Sequence, residues 1–310
     1  MKPGLHIMDE ATYHADPCPA PSLSSSIAKV LVTQSPLHAW TAHPRLNPNH
    51  EPTEKTAFDL GSAAHALLLE GEDRMQVISA KDYRTKAAQE ERDAARTIGK
   101  HPVLERQYAD VLKMREIALQ AIADCPDLSG LTLAGGTAEQ VMIWQEAGGI
   151  WCRARPDWMS HDRKIQLSYK STAASANPVD WVRTGLGIGA DLQDAYYLRG
   201  NRATGGPEDG VSVILCQENE PPYACALMGL DPAFLALAND KVEEAIGIWR
   251  QCITTGKWPA YPPRIHWLQP PAYAAAQWME RTGREVDDTP RGTFADPAKL
   301  FERKLDIGSV

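Results

Sequence analysis

The sequence has no C-x-x-C pair among its six cysteines, which are scattered from Cys18 to Cys252. Zinc sites and iron–sulfur clusters use closely spaced cysteines, and disulfides belong to oxidising compartments, so we expect buried, reduced thiols. No apolar run approaches the length of a membrane span, and the N-terminus lacks a basic-then-apolar leader pattern. The sequence therefore predicts a cytoplasmic protein with no membrane partner.

The chain also has no excess of positive charge. Its net charge of −8 at pH 7 argues against nucleic acid as a partner, because phosphate binding needs basic side chains. Net charge does not show how charges are distributed, however, and a basic groove can coexist with an acidic outer surface. Composition alone therefore leaves the partner open.

No internal repeat and no low-complexity block interrupts the 310 residues. Helix and strand patterns follow the order helices, three strands, helix, two strands, helix. This order predicts an α/β or α+β protein with a mixed central sheet flanked by helices and an N-terminal helical portion. We expect an N-terminal arm at 1–22, a single domain at 23–283 and a polar tail at 284–310. Within the domain, the helical portion covers 23–130 and the catalytic core 137–263.

The most informative stretch runs from Trp151 to Thr172. Apolar and polar residues alternate at a period of two in its second half, which is typical of a strand, and a polar turn at 160–163 precedes them. This pattern predicts a β-hairpin in which Asp157 faces a residue-x-Lys sequence ending at Lys170. With the strand-like residues before it, the hairpin predicts an antiparallel meander of strands at 138–146, 150–159 and 164–171.

A carboxylate that faces residue-x-Lys is the arrangement of metal-assisted phosphodiester hydrolysis. The acids hold a divalent cation, and the lysine steadies the attacking water or the charge on the phosphate. The position two before Lys170 is acidic in such a site, but here it is Ser168. A neutral hydroxyl is a poor ligand for Mg²⁺, so we expect weaker metal binding and a much lower rate. Rescue of the missing charge by Asp162 or Glu146 is a further alternative.

Other candidate residues have ordinary interpretations when each is considered alone. His65 lies in a predicted helix at 56–70, where it is either a core histidine bonded to a backbone carbonyl or a metal ligand. Glu139 begins a predicted strand, where a glutamate is usually exposed. Gln193 and Tyr197 lie four apart on one face of a predicted helix at 177–202, which suits packing as well as a site.

In order, these segments resemble the PD-(D/E)xK nuclease superfamily, in particular the phage and prophage exodeoxyribonuclease VIII (RecE-like) group. The similarity covers Leu23 to Tyr261, and each motif alone is weak, whereas their common order is a strong signal. The motifs are Ser24-Ser25-Ser26, Ser35-Pro36-Leu37-His38, Gly61 to Glu70, Glu139, Arg155-Pro156-Asp157, Ser168 to Thr172, Gln193 to Tyr197 and Trp258 to Tyr261.

The resemblance implies a role for each matching residue. His65 and Asp157 would bind the metal together with the backbone carbonyl of Tyr169, Ser168 would stand where the family has an acid, and Lys170 would be the catalytic lysine.

Three more residues would assist them. Glu139 would position the metal-bound water or the lysine, and Gln193 and Tyr197 would support the site and touch the DNA strand. The basic residues near the site in sequence are candidate phosphate contacts, although a solvated surface charge explains each of them equally well: Arg153, Arg155, Lys164 and Arg183.

The resemblance further implies Mg²⁺ dependence, with Mn²⁺ as a substitute, and 5′-to-3′ degradation of linear double-stranded DNA. It implies a ring-forming homo-oligomer that serves recombination beside a single-strand annealing protein in a bacterial or phage-infected cell. Ser168 at the position of the expected acid allows two interpretations of this resemblance. Either an introduced substitution impairs an active nuclease, which we favour because His65, Asp157 and Lys170 are present together, or a natural homologue only binds DNA ends. A third interpretation is a nuclease of RNA or single strands, since the shared core does not encode the substrate.

Overall fold

The computed structural model describes residues 1–51, 60–71 and 74–284. The chain divides into two compact units, Met1–Tyr261 and Pro262–Val310, and the expected domain bounds stay a prediction. The polar tail from 285 onward and the beginning of the helix predicted at 56–70 lie outside the described residues. Among the helices in the described ranges, none is long and apolar enough to cross a membrane.

The strands in the described ranges all belong to the first unit. They are β1 (Gly4–His6), β2 (Met75–Ile78), β3 (His101–Leu104), β4 (Gly136–Ala138), β5 (Val141–Glu146), β6 (Ile150–Ala154), β7 (Trp158–Ser160), β8 (Ile165–Thr172), β9 (Val211–Glu218) and β10 (Cys225–Met228). The helices of this unit are α1 (Glu10–His14), α2 (Ser25–Thr33), α3 (Pro36–Ala42), α4 (Leu60–Leu69), α5 (Lys86–Thr97), α6 (Glu105–Ala123), α7 (Pro178–Ile188), α8 (Ala190–Ala203) and α9 (Pro232–Thr255). The second unit contains α10 (Ala272–Thr282).

A five-stranded sheet in the order β10-β9-β8-β7-β4 forms the centre of the first unit. Strands β8 and β9 are parallel, whereas the other neighbours in this sheet are antiparallel. Parallel neighbours need a crossover, and here the chain between them forms α7 and α8. The predicted α+β fold with a mixed sheet and flanking helices is therefore confirmed.

The predicted hairpin is present as β7 and β8, with Trp158 opposite Leu167. Its turn is held by the Ser160 hydroxyl, which donates to Asp162 and accepts from the Ile165 N–H. The predicted three-strand meander is wrong, because β5 and β6 belong to a separate sheet with β1, in the order β1-β5-β6. The chain changes sheet at Glu139 and again between β6 and β7.

The N-terminal residues are more ordered than the expected arm. Strand β1 pairs antiparallel with β5, Gly4 lying opposite Ile143, and the Asp9 side chain caps α1. Tyr13 is buried in a small core with Val141 and Ile143. These elements are three and five residues long. They therefore show no local periodicity, and their stability comes from partners far along the sequence.

Two large hydrophobic cores pack against the strands. One contains Leu67 of α4 and Met114 of α6 together with Leu167 and Tyr169 of β8. The other lies among α2, α8, α9 and the β5–β6 pair and contains Trp144. Because side chains alternate along a strand, Ser168 and Lys170 lie on the face of β8 opposite Leu167 and Tyr169.

The helix predicted at 177–202 is two helices. Gly189, in the left-handed conformation at φ 70°, ends α7 and begins α8. A residue without a Cβ takes this conformation at little cost, so the break falls at a glycine. This change of direction sets the start of α8, which carries Gln193, Asp194 and Tyr197.

Candidate metal centre

Three side chains from separate parts of the chain converge beside β8. The ligand atoms of His65, Glu139 and Asp157 all lie within 4.8 Å of one another. His65 Nε2 is 3.4 Å from Glu139 Oε1 and 3.7 Å from Asp157 Oδ2. All three side chains are partly exposed, so a solute can reach them.

Asp157 is placed by the end of the β7–β8 pairing. The last bonded pair in this direction is Trp158 with Leu167, and beyond it the Tyr169 N–H donates to Asp157 Oδ2 at 2.7 Å. Burial alone would raise the pKa of Asp157, but the positive charge of Lys170 and the His65 ring outweigh burial, so the pKa is lowered. The carboxylate is therefore held ionised at the open end of the hairpin.

Glu139 occupies a strained backbone position, with φ at +56°. Its N–H donates to the Asp157 carbonyl at 3.1 Å, and its Oε2 lies 2.7 Å from Nε of Arg155. Burial and the negative charge of Asp157 raise the pKa of Glu139 to about 7, although Arg155 opposes the shift. Local hydrogen bonding and one ion pair thus keep two carboxylates close together.

His65 comes from α4, and its ring lies edge-on to the Tyr169 ring at 5.9 Å between centroids. Burial alone would lower the pKa of His65, but the Asp157 and Glu139 carboxylates outweigh it, and the pKa is raised. The ring therefore faces two acids, and the interpretation of His65 as a core histidine bonded to a backbone carbonyl is wrong.

Ser168 and Lys170 share the other face of β8. Ser168 is fully buried, and its hydroxyl donates to Asp194 Oδ1 at 3.3 Å. Lys170 is partly exposed, and its positive charge helps to lower the pKa of Asp157 and opposes the rise in the pKa of Asp194 that burial causes. Among the described residues its ammonium forms no hydrogen bond or ion pair, so it is available to a ligand.

Asp194 is an acid near the site that the sequence analysis missed. It lies on α8 and is 1% exposed, and burial raises its pKa to about 7 against the opposing charge of Lys170. It directly follows Gln193 in the motif helix, but nothing in the local sequence shows that it meets a strand residue 26 positions earlier.

The two acids considered as rescuers of position 168 lie elsewhere. Asp162 accepts hydrogen bonds from Ser160 and from the Lys164 N–H in the β7–β8 turn. Glu146 is bound by Arg199 and by the Trp144 indole N–H. Neither joins the cluster of His65, Glu139 and Asp157.

Gln193 and Tyr197 of α8 are joined by a hydrogen bond. The Gln193 side-chain amide donates to the Tyr197 hydroxyl at 2.8 Å. Tyr197 is buried, whereas Gln193 is partly exposed. This geometry suits the expected support of the site, and contact with DNA stays a prediction for both, as does metal binding by the Tyr169 carbonyl.

The candidate phosphate contacts differ in accessibility. Arg153 is 3% exposed, and its guanidinium binds Asp16 and Ser22, so it has no access to DNA. Arg155 is engaged by Glu139. Lys164 and Arg183 are exposed. The expectation that Arg153 contacts DNA is therefore not supported by its position.

The donor set of the cluster fits a divalent cation. One imidazole nitrogen and two carboxylates converge, and no thiol joins them. Carboxylates suit hard cations such as Mg²⁺ and Mn²⁺, and imidazole is compatible with Mn²⁺ and with softer metals. Two neighbouring carboxylates repel each other, and a bound cation would relieve that repulsion.

Comparison with known proteins agrees with this architecture. A solved structure from Eubacterium rectale, described as a "putative exonuclease", is 16% identical and aligns over 90% of this chain and 99% of its own, with a TM-score of 0.56. This identity shows the fold alone. A second structure, that of SSO0001, is 14% identical and covers 66% of this chain and 96% of its own, and its TM-score of 0.26 carries no argument.

No curated protein matches the sequence. Residues 24–269, by contrast, match the family described as "PDDEXK-like domain of unknown function (DUF3799)". This span includes β4 to β10 and every residue of the cluster, and the mixed sheet with its flanking helices fits a restriction-endonuclease-like core. The chain belongs to this PDDEXK-like family.

Proposed function

We propose that this protein is a metal-dependent nuclease that hydrolyses phosphodiester bonds in DNA. The observation that carries the proposal is the convergence of His65, Glu139 and Asp157 within 4.8 Å. Lys170, whose positive charge acts on Asp157, supports it as an uncommitted cation. Membership of a PDDEXK-like family agrees with this chemistry.

Each residue has a distinct task in this proposal. His65, Glu139 and Asp157 would hold Mg²⁺, or Mn²⁺ as a substitute. A bound cation supplies an acidified water and neutralises phosphate charge. Lys170 would donate a hydrogen bond to the attacking water or to a phosphate oxygen, and Arg155 would fix the orientation of Glu139.

We propose linear double-stranded DNA as the substrate, degraded from a 5′ end as in the RecE-like group. The support is the order of motifs from Leu23 to Tyr261. The same resemblance supports a ring-forming homo-oligomer and a single-strand annealing partner. A ring would reconcile DNA binding with a net charge of −8, because only its channel need be basic. Lys164 and Arg183 are the candidate phosphate contacts in this proposal, because both side chains are exposed and so accessible to DNA.

The test is the release of nucleotides from DNA with and without Mg²⁺. Linear duplexes labelled at the 5′ or the 3′ end, closed circular duplex, single-stranded DNA and RNA should be compared. We expect Mg²⁺-dependent release from linear duplex, with the 5′ label lost first, and no cleavage of closed circles. The Asp157→Asn variant is the control and should be inactive. Cleavage that persists in this variant, or without a cation, would contradict the proposal.

Ser168 favours a second function, that of a DNA-end-binding protein that does not cleave. The observation behind this function is that Ser168 carries a hydroxyl at the position where the RecE-like group has an acid. This alternative predicts tight binding of duplex ends in the presence of EDTA and no nucleotide release under any cation. The cleavage assay and a gel-shift assay on the same preparation separate the two functions.

A further inference from the structure

The acid that β8 lacks has a substitute on the neighbouring helix. We propose that Asp194 of α8 supplies a carboxylate to the cation site, beside Lys170 and in addition to Asp157. It would take the place of an acid at position 168, and Ser168 would position it. This inference rests on the proposed function, and it assigns a cation-site residue that neither the motif pattern nor the three-residue cluster contains.

The first support is the position of the carboxylate. Oδ1 of Asp194 lies 3.3 Å from the Ser168 hydroxyl oxygen. That hydroxyl oxygen is the γ atom, which in an aspartate would be the carboxyl carbon. With a C–O bond of about 1.2 Å, an acid at 168 turned toward α8 would approach Asp194 to about 2 Å. The two carboxylates therefore compete for one space.

The second support is an unsatisfied buried oxygen. Asp194 is 1% exposed, and its Oδ2 has no hydrogen-bond partner among the described residues. The Ser212 hydroxyl lies close enough to act on Asp194 and to oppose the rise in its pKa, but among the described residues it has no hydrogen-bond partner of standard geometry. A buried carboxylate oxygen without a partner costs folding free energy unless a positive charge meets it. A cation site that is completed on binding explains why this cost is tolerated.

The third support is the charge around Asp194. Lys170 and Asp157 are the charged residues that act on its carboxylate. The same Lys170 acts on Asp157. Lys170 therefore acts on two acids, Asp157 from the segment between β6 and β7 and Asp194 from α8. An acid at position 168 would give it the same two-sided environment, because residues 168 and 170 point to one face of β8.

The test uses variants that place the carboxylate at position 194 on α8, at position 168 on β8, at both or at neither. We would measure Mn²⁺ affinity by isothermal titration calorimetry and nucleotide release from linear duplex for the wild type, Asp194→Asn, Ser168→Asp and the double variant Ser168→Asp/Asp194→Ser. Asp194→Asn should weaken Mn²⁺ binding by about 10–100-fold and reduce cleavage. The double variant should recover both, whereas Ser168→Asp alone should gain neither, because it places two acids in one space.

Asp191→Asn is the matched control. Asp191 is a buried acid on the same helix, but it is paired with Lys241 at 2.6 Å. We expect unchanged Mn²⁺ affinity in this variant, and circular dichroism would verify the fold of every variant.

The outcomes separate the inference from the proposed function. Mn²⁺ binding and cleavage that are unaffected by Asp194→Asn would overturn the inference and leave the nuclease in place. A gain of cleavage in Ser168→Asp alone would also overturn it, since it would show that the serine impairs the site. Absence of both Mn²⁺ binding and cleavage in the wild type and in all variants would overturn the proposed function and the inference with it.

Discussion

Nε of Arg155 lies 2.7 Å from Oε2 of Glu139, and this ion pair joins the two places where the chain changes sheet. Glu139 follows β4, and Arg155 follows β6. The Arg155 guanidinium also lies over the Tyr13 ring, 5.2 Å from its centroid. Arg155 is therefore held from two sides, and its task in the structure is to fix a carboxylate.

Replacement of Arg155 by Met should release Glu139 and reduce cleavage by about 10–100-fold, as is typical when a residue that orients a metal ligand is lost. DNA affinity should keep its salt dependence, because the guanidinium is already occupied by Glu139. The measurement is cleavage at saturating Mg²⁺, together with the slope of log Kd against log salt concentration. The exposed Arg183→Met variant is the comparison.

A phosphate contact behaves differently. Its removal lowers the salt slope by about one unit. If Arg155→Met showed this loss of slope and cleaved normally once DNA was saturating, the role of Arg155 as a positioning residue would be excluded, and the original expectation of a DNA contact would be correct.

Replacement of Lys170 by Met should separate binding from chemistry. We expect cleavage to fall by about 10²–10³-fold, the usual effect of removing one group that stabilises charge in the transition state. Mn²⁺ affinity should not weaken, because the positive charge that competes with the cation near Asp157 is lost. Titration calorimetry and a cleavage assay check the two parts, with Lys164→Met as the exposed control. Equal cleavage by Lys170→Met and wild type would remove Lys170 from the mechanism.

The buried cluster of Asp16, His43 and Arg153 predicts a large stability effect far from the chemistry. The Asp16 side chain is fully buried, 3.2 Å from Arg153 Nη1 and 3.4 Å from His43 Nε2. The change Asp16→Asn leaves the buried Arg153 charge uncompensated, so we expect a loss of about 3–5 kcal/mol in the free energy of unfolding. Urea unfolding at pH 7 measures it, and Asp9→Asn, an exposed helix cap, should cost about 1 kcal/mol or less.

The same cluster gives the direction of a pH dependence. Burial alone would raise the pKa of Asp16, but the hydrogen bond with His43, the charge of Arg153 and the bonds from Ser22 lower it. A depressed pKa stabilises the fold at pH values above the unfolded value, about 3.9, and the stabilisation is lost as pH falls through the folded value. The difference between wild type and Asp16→Asn should shrink as the pH falls below about 4. A difference that grew on acidification would contradict this assignment.

Two glycines in neighbouring helices predict opposite effects of the same substitution. A Cβ on Gly200 of α8 would lie 2.7 Å from the ring of Trp144, which is 1% exposed and cannot move aside. Gly200→Ala should therefore destabilise the protein by about 1–3 kcal/mol. On α7, a Cβ at Gly187 would meet nothing within 4 Å, so Gly187→Ala should stabilise it by about 0.5–1 kcal/mol. Thermal unfolding of both variants checks the contrast, and a stabilised Gly200→Ala would show that the Trp144 packing tolerates expansion.

Local patterns predicted the elements that depend on neighbours in sequence. The β7–β8 hairpin follows from alternation around a polar turn. The starts of α2 and α3 depend equally on nearby residues, because the Ser24 and Ser35 side chains accept hydrogen bonds from backbone N–H groups three residues later. The ends of α9 are likewise set by adjacent residues, since Asp231 caps its start and Gly256 ends it. Periodicity and caps are properties of short windows, so they are visible in one sequence.

The remaining features depend on distant contacts. The break at Glu139 is stabilised by the Asp157 carbonyl and by Arg155, which lie 16 to 18 residues further along the chain, so a local sequence window does not show it. Asp194 meets Ser168 only because α8 packs over β8 after the crossover, and no spacing in the chain encodes that contact. His65 considered alone suits a core residue as well as a metal ligand, and its acidic partners are apparent only in the folded structure.

The pairing of β1 with β5 has a consequence for how the chain folds. Residues 4–6 find their partners at 141–143, so this contact closes a loop of well over a hundred residues. Loop closure costs entropy before it gains a hydrogen bond, and only three residue pairs offset the cost here. On a ribosome, β1 therefore waits unpaired while α2 to α6 are made. It joins its sheet only after β5 has emerged, so the first strand of the chain is a late addition to the fold.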